Sequence, residues 1–291
     1  MGARESHPHL YSNVTFWGQL HHVLKTMASS HAFVRRKTMK LGIIQMEMHW
    51  TLDENVTTIA HYMSQYHELD ALVFPELSIC GFHRNVHAES QPKRVNEAIE
   101  HLCHLAQKHQ ITVFVGAPVT KSDKVYNQYL CISEQGNVSA QWDKIGLTPS
   151  ESTFFTKGEK RNTVNIKGIN TNALICREAE DVDWYIATVQ NTNPDLVLWP
   201  SYIGQSPQKI EARSYYTGAP HIANQLNAFV VQCNWPHALN DTSLRGLGGS
   251  NIYDTNGECI ATMPFDEVSV GVLDTTTAEF TVLETKEIAT V

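Results

Sequence analysis

Three observations predict an α/β domain in which two stacked sheets are covered by helices on the outside. From Met39 onward, short apolar runs alternate with stretches of helical period. The strand candidates number twelve and the helix candidates four. Twelve strands are too many for one ordinary open sheet with so few covering helices, so two stacked sheets are the economical packing.

Residues 40–46 open the series with Leu41-Gly42-Ile43-Ile44, an apolar run of strand length, and residues 53–68 carry the first helical period. Ala71-Leu72-Val73-Phe74-Pro75 reads as the second strand, 71–75, and a second helix is expected over 93–109. Strand 111–118 comes next, rich in β-branched residues. Strands 126–133 and 138–143 flank Gly136-Asn137, a hairpin-turn pair. Strands 163–166 and 169–175 precede a helix over 181–191, and strand 195–199 precedes a helix over 207–226. Strand 228–234 follows, then 249–254 and 258–263 around the turn Asn256-Gly257, and 268–273 closes the series. No repeat, low-complexity tract or composition break follows Met39, so residues 39–291 read as one domain. Residues 1–38 lack steady periodicity and are expected to form an extension outside the core. Their start fits the myristoylation pattern M-G-x-x-x-[ST], which is short enough to match by chance, and they show no secretory apolar region.

The formal charge of −8 divides unevenly, with +4 over residues 1–38 and −12 over the rest. An acidic body argues against a nucleic-acid partner. No run of about 18 apolar residues is present, so no membrane-spanning helix is expected. The six cysteines (80, 103, 131, 176, 233, 259) are widely spaced, as in a reduced, cytoplasmic protein rather than a disulfide scaffold. Zinc-ligand spacings are lacking, and neither a metal nor a cofactor is implied. No G-x-S-x-G elbow exists, and Gly246-Leu247-Gly248-Gly249-Ser250 lacks the spacing of a dinucleotide loop. His237 as a partner for a cysteine is a weaker alternative.

Three strand-like runs end on reactive groups. The strand 71–75 delivers Glu76, Gln141-Trp142-Asp143 delivers Lys144, and the strand 169–175 delivers Cys176. A carboxylate, an amine and a thiol at strand ends supply the groups for acyl transfer through a thioester. In this reading Cys176 attacks as a thiolate favoured by Lys144, and Glu76 serves every proton transfer. Lys144 and the Arg177 backbone N–H stabilise the developing oxyanion.

These residues and their order resemble the nitrilase (carbon-nitrogen hydrolase) superfamily over nearly all of residues 39–291. Phe74-Pro75-Glu76-Leu77 resembles its glutamate motif, Lys144-Ile145-Gly146-Leu147 through Glu151 and Phe155 its lysine motif, and Ala173-Leu174-Ile175-Cys176-Arg177-Glu178 its cysteine motif. Asp195-Leu196-Val197-Leu198-Trp199-Pro200-Ser201 and Gly249-Ser250-Asn251-Ile252-Tyr253-Asp254 add to it. The resemblance implies a four-layer α-β-β-α sandwich, a Glu76-Lys144-Cys176 triad, and a role for Glu151 in orienting the lysine or the substrate. It also implies a homodimer or higher homo-oligomer. The expected activity is hydrolysis of a non-peptide carbon-nitrogen bond, amide or N-carbamoyl, in a small metabolite. A nitrilase is the alternative within that chemistry; an amine acyltransferase and a catalytically silent binding protein are the alternatives outside it. The sequence departs from the family pattern at Gly146, where a histidine is common, at Arg177, where an aromatic residue is common, and at Glu180, where an arginine is common. Glu180 and Asp181 beside the nucleophile weigh against a strongly anionic substrate.

Overall fold

The computed structural model describes residue 2 and residues 38–204, 215–244 and 246–283. The extension expected over 1–38 lies almost wholly outside the described residues, as do 207–214 of the fourth predicted helix.

Among the described residues thirteen strands form two sheets. The first, ordered β13-β12-β1-β2-β3-β4-β5, comprises β1 (Lys40–Gln45), β2 (Ala71–Val73), β3 (Thr112–Lys121), β4 (Lys124–Ile132), β5 (Val138–Asp143), β12 (Ser269–Asp274) and β13 (Glu279–Leu283). The second, ordered β11-β10-β9-β8-β7-β6, comprises β6 (Val164–Ile166), β7 (Ile169–Ala173), β8 (Leu196–Ser201), β9 (Phe229–Asn234), β10 (Asn251–Tyr253) and β11 (Cys259–Thr262). Each has a parallel heart, β1-β2-β3 in one and β7-β8-β9 in the other, flanked by antiparallel strands. The helices are α1 (Leu52–Gln65), the single turn α2 (Val86–Glu89), α3 (Pro92–His109), α4 (Val182–Val189) and α5 (Tyr215–Leu226).

Strand alternation sorts the apolar residues into layers. Leu41 and Ile43 of β1 and Ala71 and Val73 of β2 join the cluster between the sheets, while Ile44, Leu72 and Phe74 join the one beneath α1 and α3. Each fully buried side chain of this size contributes about 1.5–3 kcal/mol. Tyr185 of α4 and Ile222 of α5 pack with the second sheet. The Cys233 thiol on β9 reaches the Ile44 and Val73 carbonyls of the other sheet at 3.2 and 3.3 Å. The layers therefore run α-β-β-α, as expected.

Local signals set the helix ends. Thr51 caps α1 by accepting the Glu54 N–H at 3.3 Å, and α3 starts with Pro92 and stops at Gln110, whose φ of 54° is left-handed. The strand β13 has no counterpart in the sequence reading. It is an edge strand, half-exposed along its length, and pairs only with β12. Among the described residues no helix is long and apolar enough to cross a membrane.

Candidate active site

The three predicted residues follow strand ends, Glu76 and Cys176 those of the parallel strands β2 and β7 and Lys144 that of the edge strand β5. Glu76 follows β2 across Phe74-Pro75, and Leu77 turns the chain with φ of 52°. That turn lies so close to β3 that a side chain on Gly116 would collide with the Glu76-Leu77 backbone, the nearest atom being 2.1 Å from the added Cβ. Glycine is required there for close approach. Lys144 follows β5 directly. Cys176 follows β7 by way of Leu174 and Ile175 and opens a 3₁₀ turn with φ of 52°, a left-handed conformation that costs a non-glycine residue strain.

The side chains converge in a buried cluster. The Lys144 ammonium donates to Glu76 Oε1 and Glu151 Oε1, each at 2.6 Å. Asn127 Nδ2 donates to Glu76 Oε1 at 2.8 Å and reaches Glu151 Oε1 at 3.4 Å, and the Asn127 carbonyl accepts the Lys144 N–H at 2.8 Å. Glu151 Oε2 is taken by the Thr148 N–H at 2.8 Å. Glu76 Oε2 is buried and accepts nothing among the described residues, an anomaly for a structural carboxylate. The Cys176 thiol donates to the Tyr202 carbonyl at 3.8 Å.

Electrostatics divide the charges. Burial alone would lower the Lys144 pKa, but Glu76, Cys176 and Glu151 hold it well above the usual lysine range, so the site keeps its ammonium. Burial would likewise raise Glu151, but Lys144 and the Thr148 bonds keep it below its ordinary value. For Glu76 burial wins over the pull of Lys144, and the nearby Glu151 adds to the rise. One carboxylate thus compensates the lysine, leaving the other disposed to carry a proton.

The expectation of a resting thiolate needs correction. Burial and the Glu76 charge push the Cys176 thiol well above its ordinary value, and Lys144 only partly offsets them. The Lys144 ammonium by itself therefore does not secure a thiolate at Cys176.

Arg177 is split between two tasks. Trp199 Nε1 donates to the Cys176 carbonyl at 2.8 Å, which fixes that peptide, and in a trans peptide the Arg177 N–H points the opposite way. Among the described residues nothing accepts that N–H. The guanidinium pairs with Glu180 at 3.5 Å and Asp181 at 3.4 Å. One guanidinium offsets one of the two negative charges and leaves the trio net acidic.

Glu178 and Arg161 are further structural parts of the site. Buried Glu178 accepts from Ile145 N (2.6 Å), Gly146 N (3.1 Å) and Arg161 Nη2 (2.5 Å) through Oε1, and from Ile175 N (2.7 Å) through Oε2. It locks the chain after Lys144 to the turn that carries Cys176. The same packing accounts for Gly146: an added Cβ would lie 2.9 Å from Glu178 Cγ and 3.3 Å from both Arg177 Nη1 and Asp181 Oδ2. The sequence marks Glu178 through the cysteine motif, but nothing in it points to Asn127, Arg161 or Tyr202. Among the described residues no group of three or more His, Cys, Asp and Glu is placed to hold a metal ion.

A cavity of about 510 Å³ opens beside the cluster, with Glu151, Leu77, Phe82 and Phe155 in its wall.

The family described as carbon-nitrogen hydrolase matches residues 40–281. An (R)-stereoselective amidase of Pseudomonas sp. is 24% identical over 148 residues, which are 49% of this chain and 53% of that protein. The chain thus spans about half the length of this curated relative. Among solved structures, a mutant amidase from Nesterenkonia sp. AN1, holding the acetamide moiety of fluoroacetamide on its active-site cysteine, superposes with a TM-score of 0.71 at 20% identity, covering 83% of this chain and 92% of that one. A Saccharomyces cerevisiae member of branch 10 of the nitrilase superfamily gives a TM-score of 0.70 at 19% identity, covering 82% and 90%. At these identities the structural likeness is one of fold.

Proposed function

The chain belongs to the carbon-nitrogen hydrolase family, and from that premise we propose that it hydrolyses the amide bond of a small molecule through a thioester on Cys176. The observation that carries the reading is Glu76, whose carboxyl is held through Oε1 by Lys144 and Asn127 while its buried Oε2 has no partner among the described residues, within electrostatic reach of a protonated thiol.

The steps follow from the charges. As sulfur attacks the amide carbon, its proton passes to Glu76 and the carbonyl oxygen takes the negative charge. The Lys144 ammonium and the Arg177 N–H stabilise that oxyanion. Glu76 then gives its proton to the departing nitrogen, ammonia or amine leaves, and the thioester remains. Water next loses a proton to Glu76 and attacks the thioester; the acid is released, and the proton returns to Cys176. Glu151 keeps Lys144 charged and in place throughout, which is a positioning role.

The test is release of ammonia from a panel of primary amides, N-carbamoyl compounds and the matching nitriles. The reading expects turnover of amides by the native chain and none by Cys176→Ala. Turnover of nitriles without the corresponding amides would replace it with a nitrilase.

A further inference from the structure

We propose that the cavity beside Glu151 holds the acyl group of the substrate and is shaped for an aromatic one. The proposal rests on the amidase reading above and deepens it by naming the substrate class.

The cavity is tied to the chemistry on two sides. Glu151 stands in its wall and contacts the Lys144 ammonium. Phe82, also in the wall, stacks on Tyr202 with ring centres 4.6 Å apart and planes 11° apart, and the Tyr202 carbonyl accepts from the Cys176 thiol. Glu76, Lys144 and Cys176 do not themselves line the cavity; Glu151 and Phe82 are the residues that connect it to them.

The wall is an aromatic box outside the main cores. Leu77, Cys80 and Phe155 form a third small apolar cluster, joined by half-buried Phe82, Val86 and Phe154. Phe154 lies 4.7 Å from Phe155 at 56°, and the His87 ring sits 4.0 Å from Phe154. Rings set at such angles present both faces and edges to a flat guest, which favours an aryl group over an alkyl chain of equal area. Polar side chains, among them Thr148, Ser150, Thr153 and Asn240, complete the wall, and a mix of apolar surface with placed polar groups is the usual make-up of a small-molecule site.

Charge narrows the class. Glu151 is the one carboxylate in the wall among the described residues, and both of its oxygens are already engaged by Lys144 and Thr148. Arg84, at the edge, lies over the Trp50 ring at 5.0 Å and has no carboxylate partner among the described residues. The cavity therefore offers no free anion, and a cationic substituent on the aryl group would be desolvated without compensation.

Calorimetry on the full chain carrying Cys176→Ala, with cyclohexylpropanamide, phenylpropanamide and an aminomethyl-substituted phenylpropanamide, tests this directly. Phenylpropanamide is expected to bind about tenfold more tightly than cyclohexylpropanamide, with the cationic analogue weaker than its neutral parent. Adding Phe154→Ala should shrink the ratio of the first two affinities to about threefold or less. Thr153→Trp, which fills the cavity from an exposed position, should shrink it too. Equal affinities, or a preference that survives both substitutions, would overturn the proposal. Tight aromatic binding with no ammonia release from the native chain would keep the cavity assignment and overturn the hydrolase reading. Hydrolysis without aromatic preference would do the reverse.

Discussion

Glu178 and Arg161 form a buried ion pair whose two members should be far from equal in stability. Replacing Arg161 with Met leaves the Glu178 carboxylate with three backbone donors, at Ile145, Gly146 and Ile175. It also removes Arg161 Nε and Nη1, which are buried and unpartnered. Breaking a buried pair costs about 3–5 kcal/mol when the remaining charge is stranded, and these two features place Arg161→Met at or below the low end. Glu178→Gln keeps the shape but strands the guanidinium, at about 3–5 kcal/mol. If its amide oxygen faces Ile145, Gly146 and Arg161, its NH₂ meets the Ile175 N–H, and that lost acceptor costs about 1–3 kcal/mol more. Glu178→Gln is therefore expected to exceed Arg161→Met by at least about 1 kcal/mol. Urea unfolding followed by tryptophan fluorescence and circular dichroism measures both. Ammonia release, assayed where each variant remains folded, should fall further for Glu178→Gln, because the Lys144 and Cys176 segments lose their common anchor. An Arg161→Met variant as costly as Glu178→Gln would show that the ion pair, rather than the backbone donors, dominates, and would refute this reasoning.

Three other outcomes are expected. Glu76→Gln and Lys144→Ala should each lower turnover by about 10² or more, and the double variant should lose much less than the product, since both act on one transition state; multiplicative losses would show that they act independently. The acid limb of kcat/KM should lie above the ordinary glutamate value, because Glu76 has to be ionised to take the thiol proton and burial raises its pKa; the same shift makes the folded state bind more protons than the unfolded one, so Glu76's contribution to stability falls as pH rises through that window. A limb at or below the ordinary value would contradict the assignment. A chain starting at Met39 should keep its melting temperature and activity, and a large fall in either would mean that the extension supports the domain.

The proposed catalytic trio was legible because each member follows a strand-like run, and for Glu76 and Cys176 a reactive side chain at the end of a buried strand is visible as a change of composition. Its supporting groups were not. Asn127 sits within β4 and reaches Glu76 across 51 positions, a pairing made by the stacking of β2, β3 and β4 rather than by local pattern. Arg161 lies in a stretch with no periodicity, and its meaning depends on Glu178. The error over the thiol has the same origin: a lysine in the motif suggests a thiolate, but the depth of burial that reverses the balance exists only after the sheets stack. Most elements were found because both sheet faces are buried and their strands read as continuous apolar runs. The strand β13, with one partner and one wet face, gives no such signal.

The central claim is the acyl bond on Cys176. Native protein quenched in acid during turnover of an amide should carry the intermediate, and Glu76→Gln protein should carry much less, because formation of the thioester also passes through Glu76. Peptide mass mapping after acid quench should then find the acyl group on the Cys176 peptide alone, and hydroxylamine should release it as the hydroxamate. An acyl group on another residue, or full turnover by Cys176→Ala, would contradict the account.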